Sequence, residues 1–260
     1  MARLCPLFSG STGNSYYIGS RSAGVLIDAG RSARQLDGML HSCNIDPLAI
    51  HAILLTHEHS DHISGLQVFA KKYRIPVYGS TGTLIALGEK LTGVEAHVAE
   101  DGMELAGMEI TPFHTMHDCA EPLGYRIRTE DDRTLGFATD LGALSDVVKE
   151  HLLGADTVVI ESNHDRDMLR HGGYPIYLKQ RILSDRGHLA NDACAAFLPT
   201  LAKSGTRRFL LAHISRENNT PGLARETALA ALAQAGLSEN VDFQLDTASP
   251  ENADGKTVIF

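Results

Sequence analysis

The chain has 260 residues, of which 43% are hydrophobic and 21% charged, which indicates a globular protein and excludes a low-complexity one. The formal net charge of −9 argues against a protein coated in basic surface for gripping nucleic acid, although it leaves room for a local basic groove. Because the chain has no apolar run long enough to span a membrane and no signal-peptide pattern, we expect a soluble, cytoplasmic protein that makes no membrane contact.

The first half of the chain alternates apolar segments with helical patterns. Strands are predicted at residues 3–8, 15–18, 24–28, 52–55 and 76–78. Ser32 is predicted to cap a helix in which Leu36, Met39, Leu40 and Cys43 share one face. Further helices are predicted at residues 65–73 and 83–91.

The second half repeats this alternation. Strands are predicted at residues 108–112, 123–128, 134–138, 157–161, 209–212, 243–245 and 257–260. Helices are predicted at residues 175–183, at 192–201 with Asn191 as cap, and at 221–235. No linker or repeat divides the chain, so residues 1–260 are predicted to form one α/β domain, with two sheets packed on each other and helices outside.

The most informative segment follows the predicted strand at 52–55. It runs Thr56-His57-Glu58-His59-Ser60-Asp61-His62 and places three imidazoles and the carboxylate of Asp61 within six residues. Imidazole nitrogen and carboxylate oxygen are ligands that zinc, manganese and iron accept. The segment therefore predicts a metal-binding loop at a strand end.

Three later positions share this pattern of a ligand-type side chain close to the end of an apolar strand. They are His117, Asp140 and His213, which bring the number of candidate ligands to seven. His114 lies three residues before His117 and competes with it, but His114 continues the strand and His117 is preferred. Loops at one edge of a sheet can hold such side chains together on a rigid scaffold.

H-x-H-x-D-H followed by a distant histidine, aspartate and histidine resembles the metallo-β-lactamase superfamily in its dinuclear hydrolase form, over nearly the whole chain. Several short motifs resemble the YycJ/WalJ branch more narrowly, a branch associated with 5′-to-3′ DNA exonuclease activity. These motifs are residues 8–15, His117-Asp118, Gly124-Tyr125, residues 161–165 and residues 187–191. The resemblance implies a four-layer αββα sandwich.

The same resemblance implies two divalent metal ions per chain, which would be zinc, manganese or iron. One ion would be held by His57, His59 and His117, and the other by Asp61, His62 and His213. Asp140 would bridge the two ions. A hydroxide shared by both ions would then attack phosphorus, with Asp61 orienting it or taking its proton.

Further residues are predicted to contact substrate or the leaving group. Ser11 and Asn14 lie in a glycine-serine loop that would let the backbone approach a phosphate, although a simple hairpin turn remains the alternative. Asn163 and His164 follow the strand at 157–161, and His188 sits in a glycine turn before a helix. His188 and His164 are predicted to hold the scissile phosphate or protonate the departing oxygen. His41, His51, His97, His151 and His171 are interpreted as bystanders.

The predicted function is that of a dinuclear phosphodiester hydrolase, a 5′-to-3′ exonuclease that acts on DNA with a 5′ end. A small cover around residues 163–190, with five cations and two tyrosines between Arg166 and Arg186, would contact phosphates and bases, unless it is merely a solvated helix face. The alternatives are a hydrolase of small phosphodiesters or cyclic nucleotides, and a metal-stabilised binding protein without turnover. Oligomeric state stays open.

Overall fold

The computed structural model describes residues 2–260, and over this range fourteen strands form two seven-stranded sheets. The first sheet contains β1 (Arg3–Phe8), β2 (Ser15–Gly19), β3 (Gly24–Ile27), β4 (Ile50–Leu54), β5 (Val77–Gly79) and β6 (Ala96–Val98). The second contains β7 (Met103–Leu105), β8 (Met108–His114), β9 (Leu123–Thr129), β10 (Thr134–Ala138), β11 (Thr157–Glu161), β12 (Arg208–Ala212) and β13 (Gln244–Thr247). The last strand, β14 (Val258–Ile259), pairs with β1 at the edge of the first sheet.

Both sheets change from antiparallel to parallel pairing. In the first sheet, β1 to β3 are antiparallel, whereas β3 to β6 are parallel. In the second, β7 to β10 are antiparallel and β10 to β13 are parallel. The parallel halves bring the carboxyl ends of β3, β4, β10, β11 and β12 to the edge where the candidate ligands lie.

Nine helices lie outside or between the strands in the described range. They are α1 (Ala33–Ser42), α2 (Ser60–Ile63), α3 (Leu66–Tyr73), α4 (Thr81–Leu87), α5 (Asp146–Leu152), α6 (Arg166–His171), α7 (Ile176–Leu183), α8 (Asn191–Ser204) and α9 (Pro221–Gln234). None of the helices within residues 2–260 has the length and apolarity needed to cross a membrane.

Alternating side chains of the strands divide the core into layers. Tyr16 and Ile18 of β2 face the second sheet, where Phe137 packs edge-on against Tyr16 with ring centroids 4.9 Å apart. Tyr17, between them in sequence, faces the opposite way into the cluster that holds Leu36 of α1. A third cluster packs α5, α8 and α9 on the outer face of the second sheet. The predicted four-layer αββα sandwich is confirmed.

Several predicted elements need correction. The helix predicted at 65–73 is preceded by the separate short helix α2, and the segments Ala96–Val98, Met103–Leu105, Asp146–Leu152 and Arg166–His171 were not predicted as elements. All three residues of Ala96–Val98 are exposed, so this edge strand carries no alternating apolar pattern. Asn191 does not cap α8, because Ala190 is the N-cap residue and the Asn191 side chain bonds to Ser162 and Asn219 instead.

Candidate metal centre

The loop after β4 turns its ligand-type side chains inward. His57 and His62 are buried, while His59 and Asp61 are partly exposed. His59 ends the extended segment as the N-cap residue of α2, so the chain changes direction between His57 and His62. The rings of His57 and His62 consequently lie 4.0 Å apart between centroids, and those of His57 and His59 lie 4.6 Å apart.

A first group of ligand atoms joins this loop to the segment after β8. One nitrogen from each of His57, His59 and His117 lies within 4.8 Å of the others. Nδ1 of His117 donates a hydrogen bond to the carbonyl oxygen of Gly187 at 2.9 Å. Nε2 therefore carries the lone pair that is free to bind a metal ion. His114 is exposed and lies 3.8 Å from Glu121, so His117 rather than His114 joins the cluster.

A second group lies beside the first. Nε2 of His62 is 3.2 Å from Oδ2 of Asp140 and 3.6 Å from Oδ2 of Asp61. Nε2 of His213 is 4.0 Å from Oδ2 of Asp61. Asp140 reaches both groups, because its Oδ1 also lies 4.0 Å from Nε2 of His117. The structure thus brings all seven predicted ligands together at one sheet edge.

The unpaired atoms of this cluster suit a divalent metal. Nε2 of His57 and Nε2 of His213 are buried and have no hydrogen-bond partner within residues 2–260. Buried polar atoms without partners cost free energy, and a metal ion bound by both nitrogens, in place of the proton that His213 otherwise holds, removes that cost. Imidazoles and carboxylates in this proportion are the donors that zinc, manganese or iron accept, so the residues present fit a metal site.

Burial keeps two of the histidines in the form that binds a metal. Burial lowers the pKa of His57 well below its ordinary value, and it also lowers the pKa of His117. Both rings are therefore neutral near pH 7. A neutral imidazole offers a lone pair, as a metal ligand must.

Asp140 and its neighbours form the charged part of the site. Burial acts to raise the pKa of Asp140, but His213 and His62 outweigh it and hold that pKa well below its ordinary value. Burial acts to lower the pKa of His213, but the Asp140 carboxylate raises it to about 10. The carboxylate is therefore ionised and draws positive charge towards itself.

Asp28 orients His62 through a hydrogen bond from Nδ1, the ring nitrogen that does not face the ligand group. Nδ1 of His62 lies 2.7 Å from Oδ2 of Asp28, which also accepts a hydrogen bond from Oγ1 of Thr56. The other oxygen of Asp28 accepts the backbone N–H of Thr56. Asp28 thereby fixes the ring so that Nε2 faces the second group. From the sequence, Asp28 was predicted only as the end of a strand, without a role in the site.

Glu161, the last residue of β11, holds two histidines in the same way. It is fully buried, and its Oε1 accepts hydrogen bonds from Nδ1 of His188 at 2.8 Å and from Nδ1 of His213 at 2.9 Å. Burial acts to raise the pKa of Glu161, but His188 lowers it to about 2. Glu161 is a site residue that the sequence pattern did not predict. An acid at the end of the apolar run Thr157–Glu161 was the available signal.

Three residues of the site have positive φ angles that non-glycine residues rarely adopt. These are Asp28 with φ 60°, Asp140 with φ 55° and His213 with φ 52°. Such backbone conformations cost on the order of 1–3 kcal/mol each and cluster at functional sites. Each lies just after a strand, so the turn that ends the strand also aims the side chain.

The residues predicted to contact substrate separate into two groups. Ser11, Asn163 and His188 line an open cleft whose floor includes His59, Asp61, His117, Asp140 and His213. Asn14 is buried, and its Nδ2 lies 3.0 Å from Nε2 of His62 and 3.3 Å from Oδ2 of Asp61. A role in positioning these two residues suits Asn14 better than the expected substrate contact.

His164 occupies a different environment from the one expected. Its ring is buried, it does not belong to the residues that line the cleft, and burial lowers its pKa to about 4. A buried neutral ring off the cleft is poorly placed to donate a proton to a leaving group. The expected catalytic role of His164 therefore has no support in the geometry.

The stretch from Arg166 to Arg186 contributes to one wall of the cleft, but only part of its basic charge is left without an acidic partner. Each of its five cations bonds to a nearby oxygen. The pairs are Arg166 with Asp192, Arg170 with Asp167, Lys179 with the Arg170 carbonyl, Arg181 with Asp118, and Arg186 with the His117 carbonyl. Of these side chains, that of Arg181 reaches the cleft. Three of the five cations are thus paired with carboxylates, whereas Lys179 and Arg186 keep their charge.

Comparison with known proteins identifies the same family. The family model described as "Beta-lactamase superfamily domain" matches residues 24–214. The chain is 40% identical to "Exodeoxyribonuclease WalJ" of Streptococcus pneumoniae, over 97% of this chain and 96% of that protein. It is 36% identical to "Exodeoxyribonuclease YycJ" of Bacillus anthracis, over 94% of each.

A solved structure shows the same fold. The metallo-beta-lactamase fold protein YhfI from Bacillus subtilis superposes with a TM-score of 0.71, over 96% of this chain and 97% of that one, at 20% identity. At this identity the likeness concerns the fold alone.

Proposed function

Because the chain belongs to the β-lactamase superfamily, and within it to the YycJ/WalJ branch, we propose that it is a metal-dependent exodeoxyribonuclease. The observation that carries this proposal is the 40% identity to an exodeoxyribonuclease over nearly the full length of both chains, with the His/Asp cluster intact. The chain is a metallo-hydrolase of the nuclease type. The direction of degradation, from the 5′ end, is part of the proposal.

Two divalent ions are proposed, held as the sequence analysis expected. His57, His59 and His117 would hold one ion, while Asp61, His62 and His213 would hold the other, and Asp140 would serve both. When bound, the ions supply positive charge to the phosphate oxygens and lower the pKa of water towards neutrality. The position of Asp140 between the groups supports the shared role.

Asp61 and His188 are the proposed catalytic residues. Asp61 is partly exposed to the cleft and is positioned by Asn14, so it would orient the attacking water or take its proton. Nδ1 of His188 donates a hydrogen bond to Oε1 of Glu161, which leaves Nε2 for the substrate. The Glu161 carboxylate fixes the orientation of the ring, so His188 would hold the scissile phosphate or protonate the departing oxygen.

The experiment that tests this function is degradation of DNA labelled at one end. Purified protein loaded with manganese, zinc or iron is incubated with 5′-phosphorylated oligodeoxynucleotides, with bis(p-nitrophenyl) phosphate and with cyclic nucleotides. The proposal expects a ladder of products from one end, and far faster turnover of the polymer. Preference for the small diesters would support the alternative hydrolase, and no turnover with any metal would support a binding protein.

A further inference from the structure

One wall of the cleft is apolar although the chemistry beneath it is polar. The cleft is lined by candidate ligands and, from the segment around α7, by the apolar side chains of Tyr174, Leu178 and Ile182 together with Arg181. Leu178 and Ile182 lie four residues apart on α7, so they share one face of this helix. The next tyrosine, Tyr177, points away and is 73% exposed. The side chains of Tyr174, Leu178 and Ile182 are named the apolar wall below.

The apolar wall is fixed relative to the catalytic groups. Arg181 on α7 makes two hydrogen bonds to the carboxylate of Asp118, the neighbour of the candidate ligand His117. The backbone N–H of His188 donates to the carbonyl oxygen of Ile182 at 3.0 Å. The helix that carries the wall is therefore hydrogen-bonded both to the ligand loop and to the backbone of the proposed proton donor, His188.

A phosphate group and its metal ions gain nothing from an apolar surface, whereas a nucleobase binds to such a surface by stacking. When a phosphodiester lies on the floor of the cleft, the sugar and base of that nucleotide are the parts left to meet the wall. Aromatic side chains bind bases of any sequence by stacking, at about 1–3 kcal/mol per base. The side chain of Tyr174 supplies such a ring at the cleft.

Resting on the proposed nuclease function, we propose that the apolar wall binds the base of the terminal nucleotide, with Tyr174 stacked against it. Because the wall binds the base while the cleft binds the phosphate, the enzyme acts on polynucleotide ends in preference to phosphodiesters that lack a base. Because stacking makes no hydrogen bonds to base edges, the contact tolerates every sequence. Tyr174 is thus a specificity residue for nucleotides that carry a base.

The test compares two single-stranded, 5′-phosphorylated oligodeoxynucleotides that differ in their ends. One is complete, and the other carries abasic tetrahydrofuran residues at both termini. Wild-type protein should release the complete terminal nucleotide with a kcat/KM about 5- to 150-fold higher than the abasic one, the range that corresponds to stacking of one base. Tyr174→Ala should lose a similar factor on the complete substrate and become indifferent to the missing base.

Two control variants sharpen the result. Tyr174→Phe keeps the ring and should retain the wild-type preference, and Tyr177→Ala, on the exposed side of the same segment, should match the wild type on both substrates. Equal wild-type rates on the two substrates would overturn the inference, as would an equal loss by Tyr174→Ala on both. If the wild type left the complete oligonucleotide intact, the proposed nuclease function itself would fail, and the role of the wall with it.

Discussion

Glu161 accepts a hydrogen bond from Nδ1 of His188 across 2.8 Å, in a position that water does not reach. The same oxygen accepts Nδ1 of His213, so one buried carboxylate sets the orientation of a candidate ligand and of the proposed proton donor. The second oxygen is held by the backbone N–H groups of Leu141 and Leu189. Glu161 is therefore itself fixed on both sides.

Glu161→Gln should lower kcat by about 10- to 100-fold, the usual effect of removing a carboxylate that orients a metal ligand. The amide keeps the volume of the side chain, but it is neutral. It therefore holds the N–H groups of His188 and His213 less strongly than the carboxylate does. KM for an oligonucleotide should change little, whereas the melting temperature should fall, because the amide NH2 group cannot accept the N–H groups that the buried carboxylate oxygens accept. Glu150→Gln, an exposed acid on α5, is the matched control and should leave kcat unchanged. A Glu161→Gln protein with wild-type kcat would contradict the positioning role.

Gly30→Ala should damage the site through steric contact. A Cβ at this position would lie 1.8 Å from the backbone oxygen of Asp61 and 2.5 Å from the backbone nitrogen of Asn14. The Asp61 loop must shift to admit the methyl group, at a cost of about 1–3 kcal/mol in stability. We expect a loss of nuclease rate together with a lower melting temperature.

Gly38→Ala provides the control for that variant. Gly38 lies within α1, and an added Cβ meets no atom within 4 Å in the described structure. Alanine in a helix is favoured over glycine by about 0.5–1 kcal/mol, so this variant should be as active as the wild type and slightly more stable. Wild-type activity in Gly30→Ala would show that the Asp61 loop tolerates displacement.

Removal of metal should destabilise the fold. At a free metal concentration 100 times Kd, one bound ion adds about 2.7 kcal/mol to the free energy of unfolding. In a chain of this size each kcal/mol moves Tm by about 2–4 °C. Chelation should therefore lower Tm by roughly 5–10 °C per occupied site, as measured by calorimetry. A Tm that is insensitive to chelator would mean that the unpaired nitrogens of His57 and His213 bind no ion.

The sequence predicted the parts of the site that depend on local pattern. The His57–His62 motif is visible because its ligands are neighbours in the chain, and His117, Asp140 and His213 are visible because each lies just beyond an apolar strand. Together with the family resemblance, these patterns were sufficient to predict the four layers of the fold. Edge strands such as Ala96–Val98 were missed because an exposed strand has no apolar alternation.

The roles of positioning residues could not be predicted from local pattern. Asp28 and Glu161 act through histidines that lie 34 and 27 residues away in the chain, so their function exists only in the folded protein. His164 was expected to face the cleft because it follows a strand, but the chain there pairs with Ala190 and the ring is buried. Arg166 and Arg181 look like free positive charges in the sequence. Their carboxylate partners, Asp192 and Asp118, lie in distant segments of the chain and meet them only in the folded protein.

The most direct test of a shared two-ion site is the metal content per chain of the wild type and of Asp140→Ala, measured by mass spectrometry alongside degradation of end-labelled DNA. The account predicts two ions per chain and active degradation in the wild type. Asp140→Ala should lose both ions and its activity, since Asp140 contacts both groups of ligands. An Asp140→Ala protein that keeps two ions and full turnover would contradict the account.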